Sequence, residues 1–165
     1  MADDGVDRIL EQWARERPDL DTEAMGVFGR ILRIAKAAGD AATATYARFG
    51  ITRGDFDVLA TLRRAGEPYA LSPSALSASL MLTSGGITQR VDRLDRAALV
   101  NRVPDPSDRR GQIVALTPHG REVIDAAVAA GLETQQRLLA PLPPGTRREL
   151  DAHLRQLLAA MATTP

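Results

Sequence analysis

The chain has 165 residues, 44% hydrophobic and 25% charged, a balance that suits one soluble globular domain with a sizeable core. It contains no cysteine, which excludes disulfides, zinc–thiolate sites and thiol-based oxidant sensing. Basic and acidic residues balance at 21 each, so a nucleic-acid partner requires an uneven distribution of charge.

The distribution is uneven. Residues 1–25 hold eight acids against three arginines, whereas residues 83–110 hold six arginines against four aspartates. Val6, Ile9, Leu10 and Trp13 recur on one face of a first helix, which ends by Pro18. Asp19 or Asp21 caps a long second helix, roughly residues 22–49, with Met25, Phe28, Leu32 and Ala35 in its apolar stripe. The second half of that helix is nearly all small residues. This reads either as a close helix contact in a dimer or as plain alanine-rich composition.

Gly50 stops this helix. Thr52 caps the next, and Asp55 at its third position suits a variant capping box. Phe56, Leu59 and Leu62 face inward. Asp57 reads either as a solvated carboxylate near a helix N-terminus or as a functional group.

The stretch from Leu71 to Leu116 organises the rest. Ser72 and Pro73 open a short helix over residues 73–79, and Thr83 caps a second in which Ile87, Val91 and Leu94 keep helical spacing. Residues 100–103 and 112–116 are short strands, and PDPSDRRG between them marks a hairpin tip. Helix, turn, helix and an arginine-tipped hairpin make a winged helix-turn-helix. Ser84, Thr88, Gln89 and Arg93 lie on the half of the recognition helix that enters a major groove. Gln89 suits a bidentate contact to adenine, and Arg93 suits guanine or a phosphate. Gly85 and Gly86 cost helix stability and allow backbone N–H groups close to a phosphate.

Thr117 and Pro118 open a further helix with Val123, Ile124, Ala127 and Val128 on its apolar face. PLPPG breaks it, and Leu150, Leu154, Leu157, Leu158 and Met161 mark a final amphipathic helix. Apolar stripes at both chain ends need a partner, and a second copy is the economical one. The expected fold is mainly α with a small β-hairpin wing. Residues 52–116 form the DNA-binding region and residues 1–49 and 118–165 the dimerisation helices of one domain.

The run ITQRVDRLDRAALVNRVPDPSDRRGQIVALTPHGRE resembles the recognition helix and wing of the MarR family of bacterial transcription regulators. DxxDRR and LTPHG are its most specific parts. TSGGITQRVDRL and the extra N-terminal segment bearing Trp13 point to the PecS/urate-responsive branch. The resemblance implies a homodimeric repressor on a pseudo-palindromic double-stranded operator. It implies that Arg109 reads a minor groove, that Asp108 holds or screens a neighbouring arginine, and that Arg110 belongs to the same DNA-binding tip, for which the alternative is a solvated salt bridge in the turn. It also implies an anion pocket from Trp13, Asp57, Arg90 and Arg102, for which Trp13 is otherwise a core or dimer residue. Urate, xanthine, citrate and aconitate all fit its chemistry. Two positions depart from the pattern: Gln89 stands where Asn is usual, and Ala98 where glycine is frequent, so a differently shaped helix end is expected there.

An enzyme is not expected, for no nucleophile elbow or phosphate loop is present. No metal, cofactor or membrane partner is expected either, and the location expected is cytoplasmic. The rival reading is a ligand-independent winged-helix or architectural DNA-binding protein.

Overall fold

The structure, a computed structural model, describes residues 4–105 and 111–162. Asp108, Arg109 and Arg110 of the predicted wing tip lie outside the described residues. The chain forms two compact units, Met1–Thr43 and Ala44–Pro165.

The first unit holds α1 (Asp7–Glu16) and most of α2 (Glu23–Ala47). Asp4 accepts the Val6 and Asp7 backbone N–H groups at 2.8 and 3.0 Å, and so starts α1. Arg30 of α2 then pairs with both Asp4 and Asp7. Val6 is buried against Gly29, where a Cβ would fall 3.2 Å from the Val6 side chain. Trp13 is 40% exposed, so it is not a core anchor within this unit. Burial decides that point, because a tryptophan that stabilises a core must lose most of its contact with water.

The second unit contains α3 (Arg53–Arg64), β1 (Ala70–Leu71), α4 (Pro73–Leu80), α5 (Ser84–Arg96), β2 (Val100–Pro104), β3 (Gln112–Leu116), α6 (Pro118–Leu139) and α7 (Pro144–Ala162). Each cap predicted for these helices forms. Thr52 and Asp55 make a reciprocal capping box, and Ser72, Thr83 and Thr117 each accept a backbone N–H three residues on. Gly50 takes φ 69° and turns the chain out of α2, as only a residue without Cβ does cheaply.

The sheet is antiparallel in the order β1-β3-β2. Val100 pairs with Leu116 and Pro104 with Gln112, so β2 and β3 form the wing hairpin. Ala70 and Leu71 add a third, two-residue strand opposite Ala115 and Val114. Leu59, Leu62, Leu76, Ile87, Leu94, Val114 and Ile124 are fully buried and join helices and sheet in one core. Tyr46 stacks on Phe56 at 4.0 Å, and the hydroxyls of Thr45 and Thr134 bond to each other at 2.9 Å inside the unit.

The end of α5 corrects one expectation. Ala98 takes the left-handed conformation itself, with φ 56°. Its N–H donates to Asp95 and the Leu99 N–H donates to Leu94, the paired bonds of a Schellman stop. The Thr117 hydroxyl then donates to the Ala98 carbonyl at 2.7 Å. These bonds offset the strain of a Cβ, so the helix ends as it would with glycine.

Candidate nucleic-acid interface

α5 separates its faces by period. Ile87, Val91 and Leu94 are buried, while Ser84, Gly85, Thr88 and Gln89 are exposed on the opposite side. The N–H groups of Ser84 and Gly85 fall in the first turn, where no intrahelical acceptor exists. Nothing lies within 4 Å of a Cβ built at Gly85, so a phosphate can reach the positive helix end. The Thr88 hydroxyl donates to the Ser84 carbonyl at 3.0 Å. It therefore faces outward as an acceptor and a methyl group, while Gln89 offers both a donor and an acceptor.

The rest of α5 is fastened from two sides. Arg93 donates from Nε and Nη2 to the Asp55 carboxylate, with distances of 2.6 to 3.2 Å. Asp55 is buried and Arg93 is 43% exposed, and among the described residues Arg93 Nη1 makes no hydrogen bond. Burial pushes the Asp55 carboxyl up. Hydrogen bonds from Arg93 and Thr52, with the Arg93 charge, more than reverse that and hold it below the usual carboxylate range. Arg90 lies across the first turn of α3, its Nη1 donating to the Gly54 carbonyl at 3.2 Å. A Cβ at Gly54 would fall 2.8 Å from the Arg90 guanidinium carbon, so a larger residue there would make the end of this side chain shift.

On the wing side, Asp92 of α5 pairs with Arg102 of β2. Arg96 turns back and donates to the Asp92 carbonyl at 3.1 Å. Asp57 sits one turn beyond Gly54 on α3, half-buried. Burial raises the Tyr46 hydroxyl pKa, and the Asp57 charge raises it further. Asp57, Arg90 and Arg102 thus lie on α3, α5 and β2; Arg90 meets α3 at Gly54 and Arg102 meets α5 at Asp92, and among the described residues no bond joins Asp57 to either arginine. Trp13 belongs to the first unit. Sequence reasoning did not single out Asp92 or Gly54. A pairing across 10 or 36 residues leaves no local signal, and only the tertiary packing reveals it.

A surface cavity of about 440 Å³ opens beside β3 and the start of α6, with Tyr69, Leu116, Pro118 and Arg121 in its walls. Arg63 and Arg121 cover the Tyr69 ring at 4.9 and 4.8 Å. Arg63 also pairs with Asp125 at 2.7 Å. None of Asp57, Arg90 and Arg102 lines this cavity.

A helix that exposes polar side chains at its N-terminal half, rests on a second helix and is followed by a β-hairpin defines a winged helix-turn-helix protein. The MarR family sequence profile matches residues 49–111. The chain is 38% identical over 153 residues to the HTH-type transcriptional regulator PecS of Dickeya dadantii, covering 93% of this chain and 90% of that protein. It belongs to the MarR family, whose members are DNA-binding transcription regulators and not enzymes. Its fold is similar to that of AbsC, a MarR family transcriptional regulator from Streptomyces coelicolor (TM-score 0.74, 25% identity, 88% of this chain and 97% of that one). It is also similar to a MarR variant from E. coli complexed with operator DNA (TM-score 0.71, 25% identity, 83% of this chain and 96% of that one). Among the described residues, no helix is long and apolar enough to cross a membrane.

Proposed function

We propose that two copies of this chain form a repressor that grips a pseudo-palindromic operator and releases it when a small anion binds. The observation that carries this reading is the double fastening of α5, because the arginines suited to hold an anion also hold the recognition helix. Ser84, Thr88 and Gln89 read base edges, and the N-terminal N–H groups at Ser84 and Gly85 take a phosphate. Arg93 has spent its fork on Asp55, so a single phosphate contact from Nη1 suits it better than bidentate reading of guanine. By resemblance, Asp108, Arg109 and Arg110 serve the minor groove beside it.

The second copy covers apolar side chains that a lone chain leaves in water. Met25, Phe28 and Leu32 on α2 and Leu150, Leu154, Leu158 and Met161 on α7 are exposed. A two-fold pair sets its recognition helices about 34 Å apart, one turn of the duplex.

Release works by competition. An anion with two acceptor oxygens takes Arg102 as a bidentate partner and displaces Asp92. The helix then loses its tie to the wing, and its position relative to the other half-site shifts. Arg90 and Asp57 act on the opposite side, at the first turns of α3. Trp13 is assigned to the same effector by resemblance alone. Linkage requires operator DNA to weaken anion binding by the factor that the anion weakens DNA binding.

A second reading has its own support. Arg93 and Arg102 are already satisfied by Asp55 and Asp92, which is what a ligand-independent winged helix needs. Gel-shift titration on the DNA beside the protein's own gene separates the two. The proposal expects a salt-sensitive complex that urate, xanthine or citrate dissolves, with the response lost in Arg102→Ala. A complex that no anion disturbs favours the second reading. No complex with any fragment at low salt overturns both.

A further inference from the structure

Met81 sits in the turn between the two helices of the DNA-binding motif, and two features of its position work against the fold. It adopts φ 51° and ψ 42°, the left-handed region that disfavours any residue with a Cβ. The Schellman stop of α4 imposes this conformation, through the Met81 N–H to Ala78 and the Leu82 N–H to Ser77 at 3.4 and 3.1 Å. The residue is also 93% exposed, against 69% for Leu32, the next most exposed large apolar residue among those described. Glycine or asparagine meets the backbone requirement at less cost, and neither puts an apolar side chain in water. Folding therefore gives no reason for a methionine here.

The surroundings do. Met81 lies in the turn that leads into α5, three residues before Ser84, and like Ser84, Gly85, Thr88 and Gln89 it is exposed. Gly85 and Gly86 leave the start of α5 open: a Cβ at Gly85 meets nothing within 4 Å, and one at Gly86 meets only the Thr83 hydroxyl. A duplex seated on α5 arrives at this corner. An unbranched, polarisable side chain suits an irregular apolar surface, and a duplex edge offers two kinds of carbon: the thymine methyl groups in the major groove and the sugar carbons at its rim.

We infer that Met81 is a DNA-contacting residue whose side chain packs against apolar carbons of the operator beside the N-terminus of α5. The inference rests on the DNA-binding reading above and adds a contact that carries no charge. Its cost in the free protein is recovered only on DNA.

The test uses the full-length protein and an operator fragment that the parent binds. Met81→Gly should melt at a higher temperature than the parent yet bind the fragment about fivefold more weakly, the loss expected for removing one or two buried methylene-sized groups. The slope of affinity against salt should stay unchanged, because no phosphate contact is lost. Met81→Asn, which also tolerates the left-handed region, should repeat the loss, and Met81→Leu should keep most of the affinity. Uracil in place of thymine in one half-site identifies the carbons. If the parent loses affinity and Met81→Gly does not, the partner is a thymine methyl. If neither responds while Met81→Gly remains weaker, the partner is the sugar. Affinity in Met81→Gly equal to the parent's overturns the inference. So does a loss accompanied by a changed salt slope, since the helix itself has then moved. A parent that binds no fragment overturns the DNA-binding reading and this inference with it.

Discussion

Arg93 and Asp55 lie 38 residues apart, and the guanidinium of one closes over the buried carboxylate of the other with Nε and Nη2 both donating. The same carboxylate accepts the Thr52 backbone N–H at 2.9 Å and the Thr52 hydroxyl at 2.7 Å. One side chain thus starts α3 and fastens α5 to it. The recognition helix is held by the cap of its neighbour, so its placement depends on a local helix signal and on a long-range ion pair together.

Acid should undo this junction in a readable way. The native Asp55 pKa is lowered, so its stabilisation is fully present above the ordinary carboxylate value near ~3.9 and is lost as pH falls through the lower native value. Asp55→Asn should cost about 1.5–3 kcal/mol at neutral pH, the usual worth of a charge-assisted hydrogen-bond group. Denaturant unfolding at stepped pH measures the gap between variant and parent. The gap should be constant from pH ~7 to ~5 and shrink below ~4. A gap that does not shrink in acid means that the charge on Asp55 contributes nothing.

Gly120 is held by a different constraint. It lies in the first turn of α6, where its N–H donates to the Thr117 hydroxyl at 2.9 Å. A Cβ there would fall 1.8 Å from the Leu99 carbonyl oxygen, which is backbone and cannot rotate away. That carbonyl also accepts the Thr117 N–H at 3.1 Å. Gly120→Ala should therefore push α6 off the end of α5 and cost about 3 kcal/mol or more, at the upper end of overpacking penalties. Thermal unfolding checks it, and a melting temperature within a degree or so of the parent's would show that the two segments separate freely.

These cases show which parts of the molecule a sequence makes legible. The caps at Thr52, Ser72, Thr83 and Thr117 were readable because donor and acceptor lie three residues apart. The two wing strands were readable because Pro, Asp and Gly punctuate the turn between them. The hydrophobic period of α5 named its buried face, and with it the exposed positions 84, 85, 88 and 89. The fastening of that helix was not readable. Arg93 meets Asp55, Arg102 meets Asp92 and Arg90 meets Gly54 only after α3, α5 and β2 have packed. Gly120 closes the LTPHG run that carries the resemblance, but its steric role was not readable, because the oxygen that excludes a Cβ comes from 21 residues earlier in the chain. Left-handed turns at Met81 and Ala98 were hidden for the opposite reason, since neither has the residue type that announces one.

Ala98 provides the clean measure of that strain. Relieving a left-handed alanine gains about 1–2 kcal/mol. Glycine returns about 0.4–1 kcal/mol of this through the freer unfolded chain. Ala98→Gly should therefore stabilise the protein by roughly 0.5–1 kcal/mol. Chemical denaturation should show the midpoint rising with its slope unchanged. A lower midpoint would mean that the Ala98 methyl makes a favourable contact worth more than its strain.

Asp92 tests whether the tie between α5 and β2 is a switch or ornament. Both partners are about a third or more exposed, so as a plain surface pair it is worth about 0–1 kcal/mol, and Asp92→Asn would change little beyond that. The effector reading demands more. Neutralising Asp92 removes the carboxylate that competes with an anion for Arg102, so half-release of the operator should occur at an anion concentration about three- to tenfold lower. Operator affinity without anion should fall, because the helix loses its hold on the wing. Asp92→Glu should recover part of both properties. Gel shifts titrated with the anion that releases the parent would decide the point. An Asp92→Asn protein that matches the parent in both operator affinity and half-release concentration would reduce the Asp92–Arg102 pair to a surface ion pair.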